Sequence, residues 1–305
     1  MNTKQIYTRI GIGMILYIAL PFLIQLVLYP SLFQLYPELR SNSYIVWILT
    51  IAPMYLAGVP VFYLLIKGIR KQHLYRHRLT VFQLMKFITV SFTFLYIGSL
   101  IGTGLTKLLS FFTQQESSGG VANMISQSDF PAMLIFVVIL PPIMEELVFR
   151  KWLLDRLVVM GDKMAIFISA LLFGLVHGNL KQFFFAFFIG CIFGYIYIRT
   201  GRLRYSILIH LIINFFGSVI AQSVLRNMGE IAGNMSKLVL LLLYSGVLLA
   251  LFILGLITFI LERKKVVLKK GELSESGGKM LASFFSHPVI IMMLIAMVIL
   301  FIYKF

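Results

Sequence analysis

Two glutamates stand side by side at Glu145 and Glu146 in the run PPIMEELVFRKW, and Arg150 follows the second by four residues. The stretch before them is apolar. An ionisable side chain within such a stretch costs on the order of 2.5–3.5 kcal/mol in a bilayer even on lenient scales, so it needs a partner or a task. Adjacent helical residues project about 100° apart. Arg150 therefore shares a face with Glu146 and can neutralise it, while Glu145 is left to point elsewhere. Two carboxylates in different surroundings can divide their labour, one structural and one a base. The plainer reading is a helix end reaching the membrane surface, where such charges are ordinary.

Two further pairs lie downstream. FGLVHGN sets Phe173 and His177 on one helical face, and HLIIN does the same for His210 and Asn214. The second pair offers an imidazole and a carboxamide, both able to donate hydrogen bonds toward one oxygen. Either pair could instead serve helix packing or an interhelical polar clamp. Gly174 and Gly178 read as a close-packing pair, as do Gly98 with Gly102 and Gly190 with Gly194. Pro141-Pro142 stands one turn before the glutamates and either aims them or marks a bend. His73 and His77 lie in a basic loop, and His287 precedes Pro288 at a helix start; none of the three requires a function.

The elements carrying these residues must be membrane helices. Of 305 residues, 60% are hydrophobic and 12% charged. That composition excludes a soluble globular enzyme, a disordered chain and a disulfide scaffold. The apolar runs are long and continuous, which predicts an all-α polytopic membrane protein of about nine transmembrane helices rather than a β-barrel. The fourth run is expected to end near Phe149, with 150–163 as an interfacial piece, and the fifth to span Met164 to about Leu180. The single cysteine, Cys191, lies within an apolar run and reads as a buried small hydrophobe.

The net charge is +16, from 27 Lys and Arg against 11 Asp and Glu. The basic residues fall in short loops: Lys67–Arg78, Arg150–Lys163, Arg199–Arg204 and Arg263–Lys279. That is the positive-inside pattern rather than a nucleic-acid surface. It predicts a cytoplasmic N-terminus, with the loop carrying Glu116 and Asp129 outside and the C-terminus outside.

Taken together, Glu-Glu-x-x-x-Arg, Phe-x-x-x-His and His-x-x-x-Asn on three separate spans in that order resemble the CPBP family of intramembrane proteases. This group contains type II CAAX prenyl proteases, bacteriocin-processing and bacteriocin-immunity (Abi) proteins, and lysostaphin-resistance-protein-like members. The resemblance covers about residues 129–225. It departs at Lys151, where members often have glycine. It implies a CPBP-like four-helix core at 129–225, flanked by about three N-terminal helices in 1–128 and about two C-terminal helices in 226–305.

The resemblance further implies hydrolysis of a peptide bond in a membrane-associated peptide or protein. Glu145 would be the general base, His177 would share the water's proton, and His210 with Asn214 would bind the oxyanion. Glu146, Arg150 and Phe173 would support them. No cofactor is favoured. A zinc ion on Glu145, His177 and His210 is the alternative, disfavoured because Asn214 suits an oxyanion better than zinc. The expected partners are the bilayer and a membrane-associated substrate, with no nucleic acid, in the plasma membrane of a bacterium. A non-catalytic scaffold or regulator, for example in peptide-toxin immunity, is the competing reading. A transporter is disfavoured by the lack of inverted repeats.

Overall fold

The computed structural model describes residues 2–114, 120–225, 235–272 and 277–303. A chain this apolar must satisfy its backbone polar groups internally, and the helix does so within one segment. The main helices are α1 (Thr3–Leu35), α2 (Ser43–Ile66), α3 (Val81–Thr113), α4 (Phe130–Met160), α5 (Asp162–Leu175), α6 (Leu180–Thr200), α7 (Leu203–Val224), α8 (Met235–Lys265), α9 (Gly277–Phe285) and α10 (Pro288–Tyr303). The chain is thus an all-α polytopic membrane protein. Among the described residues, seven helices are long and apolar enough to cross a membrane, or eight if the α9–α10 pair, bent by 66°, counts as one span.

The nine apolar runs of the sequence therefore need two corrections. The fifth run forms only the 14 residues of α5. At 1.5 Å per residue that is about 21 Å, short of a bilayer core of about 30 Å. The helix is enclosed by protein along most of its length, so it need not match the lipid thickness. It turns at Val176–Gly178 into α6, which Asn179 caps by accepting from the Gln182 amide. Gly178 has φ +66°, a conformation that favours glycine, so it makes this turn instead of packing two helices. Gly174 does pack closely, with a Cβ there meeting the Phe183 carbonyl.

The second correction concerns α4, which does not end at Phe149. It runs on to Met160, with Arg150 wholly buried. Glu145 consequently lies about 20 Å from the end of its helix. The sequence reading stopped the span at the first cluster of charges. Those charges pair within the protein and have no need of headgroups.

The basic loops gather on one face. The Gln72 amide donates to the Asp155 carbonyl, that of His77 to Thr200, that of Asp162 to Lys269, and that of Glu272 to Val159, at 2.7–3.0 Å. The start of α1 joins them, with Arg9 Nη1 donating to the Leu65 carbonyl. Asp129 lies on the opposite face, accepting from the Tyr44 hydroxyl at 3.0 Å, and Trp47 Nε1 donates to Ser128 Oγ at 2.7 Å nearby. Glu116 lies outside the described residues.

Helices α3 and α6 pack along the small-residue stripe read from the sequence. A Cβ on Gly98 would sit 2.5 Å from the Phe185 Cα, and one on Gly102 would sit 2.6 Å from the Lys181 carbonyl oxygen. Gly190 and Gly194 bring α6 against Phe173, Ala170 and Ile166 of α5. Backbone cannot yield to such a clash, so Gly98→Leu should separate α3 from α6 and lower the thermal midpoint in detergent. Gly104→Leu, on the same helix with nothing within 4 Å, should leave that midpoint near wild type. Equal behaviour of the two variants would refute this packing.

Candidate active site

The two glutamates of α4 occupy different surroundings, as their angular separation on a helix requires. The Glu146 side chain is 0% exposed and lies 3.3 Å from Arg150 Nε, which is equally buried. Its other oxygen lies 3.3 Å from His210 Nδ1 of α7. The Glu145 side chain keeps 23% exposure, and its Oε2 faces His210 Nε2 across 3.6 Å. His210 thus stands between the two carboxylates, one ring nitrogen toward each.

Arg150 has further contacts from α5 and α6. Its Nη1 donates to Ser169 Oγ at 3.0 Å, and Ser169 donates in turn to the Phe149 carbonyl at 2.9 Å. The guanidinium carbon lies 4.8 Å over the Phe173 ring and 5.8 Å over that of Phe193. Such stacking suits a planar, weakly hydrated cation in a dry interior.

Phe173 joins the motifs. Its ring meets His177 edge-on at 5.1 Å, His210 at 5.9 Å and Phe149 at 5.3 Å. His177 lies in the turn after α5, with Nδ1 2.8 Å from the Phe173 carbonyl. A carbonyl only accepts, so Nδ1 carries a proton and Nε2 is the nitrogen able to take one. The ring of His177 also meets that of Phe185 of α6 edge-on at 6.4 Å.

Asn214 is engaged differently from the sequence expectation. Its Nδ2 donates to the Val137 carbonyl of α4 at 2.9 Å. One of its two N–H groups is spent there. The structure therefore brings Glu145, Glu146, Arg150, Phe173 and His210 into one contact group, sets His177 against the same aromatic ring, and holds Asn214 one turn beyond His210. Among the described residues, no three His, Cys, Asp or Glu side chains are gathered as a metal-ligand set.

Several participants escaped the sequence reading. Ser169 lies four residues before Phe173 and so extends the Phe-x-x-x-His face by a turn; that spacing could have revealed it. Phe193, 5.2 Å from His210, sits in an aromatic-rich run with nothing to distinguish it. Tyr17 of α1 packs edge-on against Phe149 at 6.2 Å. Tyr17 and Tyr55 of α2 both lie within electrostatic range of Glu145. No local pattern marks either tyrosine.

Removing one partner of a buried ion pair typically costs about 3–5 kcal/mol. Arg150→Ala should therefore deplete folded protein in the membrane, and adding Glu146→Gln should restore part of it. Normal accumulation and folding of Arg150→Ala would show that the pair is not structural.

Residues 127–216 match the family model described as type II CAAX prenyl endopeptidase Rce1-like. Two curated bacterial proteins are similar over overlapping parts of the chain. The candidate membrane peptidase YdiL of Bacillus subtilis (strain 168) is 27% identical over 151 residues, covering 47% of this chain and 60% of YdiL. The membrane-embedded CAAX protease MroQ of Staphylococcus aureus (strain USA300) is 34% identical over 110 residues, covering 34% of this chain and 44% of MroQ. The chain thus spans 60% and 44% of the length of these relatives. No solved structure matches it significantly. The matched segment contains every motif residue from Glu145 to Asn214, and over that segment the chain is similar to type II CAAX prenyl endopeptidase Rce1-like proteins.

Proposed function

We propose that this protein is an intramembrane endopeptidase that hydrolyses a peptide bond in a membrane-associated peptide or protein, using a water activated by Glu145. The observation that carries the reading is the unequal treatment of the two glutamates. Glu146 is fully buried and paired, whereas Glu145 keeps an accessible carboxylate opposite His210 Nε2. A gap of 3.6 Å between two polar groups is one that a water can bridge.

In this mechanism Glu145 takes a proton from that water as it attacks the scissile carbonyl carbon. The carbonyl π electrons move to oxygen, and the oxyanion is held by His210 Nε2 and by the second N–H of Asn214. Collapse of the tetrahedral intermediate re-forms the carbonyl and breaks the C–N bond. The leaving nitrogen takes a proton by way of Glu145 or His177 Nε2. Such contacts are worth most where bulk water is excluded, and Phe149, Phe173 and Phe193, all wholly buried, supply that exclusion. Glu146 and Arg150 fix the carrier helix. The reading assigns no metal to these steps.

The positive-inside rule assigns the basic face to the cytoplasm, with the N-terminus on that side. In a Cys191→Ser background, Lys71→Cys should react with a membrane-impermeant thiol reagent only after cells are opened. Ser41→Cys should react from outside. The reverse pattern would invert the topology.

The catalytic assignment predicts that Glu145→Gln accumulates and folds as wild type does, yet lowers product formation by at least about 100-fold. The comparison is between peptides released from membranes of cells carrying wild type and variant. Identical peptide profiles from the two would remove Glu145 from the chemistry. Metal content of the purified protein separates the alternatives further. Zinc at one per chain, lost in His210→Ala, would reassign Glu145 from base to ligand; zinc far below one per chain is the expected result.

A further inference from the structure

The contact between Asn214 and Val137 sits where α4 cannot bond to itself. In an α-helix the Val137 carbonyl would accept from residue 141, and in a wider π-type turn from residue 142. Both are prolines and carry no N–H. The helix is widened here, over Leu134–Ile139. The next donor along, the Leu140 amide, is already given to the Ile135 carbonyl. Val137 is therefore left with an acceptor that no regular helical pattern of α4 can satisfy, and Asn214 Nδ2 supplies the donor at 2.9 Å.

The position of this carbonyl matters. Val137, Pro141 and Glu145 are spaced by four along α4 and share a face. On α7, His210 and Asn214 are spaced in the same way. The helices thus meet twice, Glu145 and Glu146 with His210, and the Val137 carbonyl with Asn214. Two contacts on one helix pair fix both its register and its rotation, where one contact would leave α4 able to swivel.

We infer that Asn214 is a positioning residue, whose amide satisfies the carbonyl freed by Pro141-Pro142 and thereby sets Glu145 opposite His210. This role is separate from the oxyanion contact proposed above, because it uses the other N–H of the same amide. Its consequence for turnover rests on the peptidase reading; the clamp itself does not.

A second-site test follows from the chemistry. Pro141→Ala restores an N–H four residues after Val137, so α4 can satisfy that carbonyl without Asn214. Unfolding of the purified full chain in mixed detergent is compared for wild type, Asn214→Ala, Pro141→Ala and the double variant. Asn214→Ala should lower the folding equilibrium constant by about tenfold, the typical effect of orphaning a polar group, and the double variant should regain most of that loss. Peptide release from membranes should fall in Asn214→Ala and recover in part in the double variant, the remainder reflecting the lost oxyanion contact.

Should Asn214→Ala fail to accumulate, its return to the membrane in the double variant serves as the same evidence. Additive effects, with no recovery of stability, would overturn the clamp. Recovery of stability without any recovery of peptide release would overturn the positioning role. If Glu145→Gln left peptide release unchanged, the peptidase reading would fail instead, and the unfolding comparison would still decide the clamp.

Discussion

The buried pair of Glu146 and Arg150 is the constraint on which the rest of the core depends. Taking two charges out of water costs several kcal/mol each, and their attraction repays this only with good geometry and further polar contacts. Polar contacts come from Ser169 of α5 and His210 of α7, and the rings of Phe173 of α5 and Phe193 of α6 stack on the guanidinium. Each of these elements covers part of the buried pair. Helices α4 to α7 thus meet around this pair. The same pairing explains why α4 can bury an arginine in the middle of a 31-residue helix.

Once Glu146 is committed to Arg150, Glu145 differs from it by rotation alone. One helical step carries the second carboxylate out of the ion pair and into a partly open position opposite His210. The division between a structural and a reactive carboxylate needs no difference in residue type. It needs only that the helix be aimed. Here the backbone is irregular: α4 widens over Leu134–Ile139 and again over Leu147–Leu154, on either side of the glutamates. Irregular backbone at membrane depth persists only where the protein satisfies the freed groups, and Asn214 does so for Val137.

The helices outside the matched segment contribute unequally. From α1 and α2, Tyr17 packs edge-on against Phe149 and Phe62 packs against Tyr17. α8 leans on α3, through Thr93 donating to the Phe252 carbonyl at 2.7 Å and Lys86 paired with Glu262 at 2.6 Å, and touches α7 where the Tyr244 hydroxyl donates to the Phe216 carbonyl at 3.0 Å; most of its large apolar side chains stay exposed, as a lipid-facing helix requires. Lys151, the departure from the family pattern, has a use at the basic face. It lies 2.9 Å from Asp155, which also accepts from the Tyr197 hydroxyl at 2.8 Å, and so ties α4 to α6. A glycine could not make that tie.

Much of this was legible in the order of residues. Composition and run length determined an all-helical membrane protein, because a bilayer admits few alternatives. Spacing by four determined that Glu146 pairs with Arg150, and the charge of each loop determined which loops share a face. These are local or one-dimensional properties. The sequence misjudged the fifth run and the end of α4, because hydropathy assumes that every helix faces lipid and every charge faces water. Inside a bundle neither holds: α5 is walled by protein, and Arg150 is neutralised where it lies. What only the tertiary structure decided is which partners meet across helices. Phe193, Tyr17 and Tyr55 carry no local mark, and the donor that Val137 lacks is 77 residues away in Asn214. The need for a partner can be read from a pair of prolines, but the partner is chosen by how the helices pack, since a hydrogen bond is specified by position in space and not by distance along the chain.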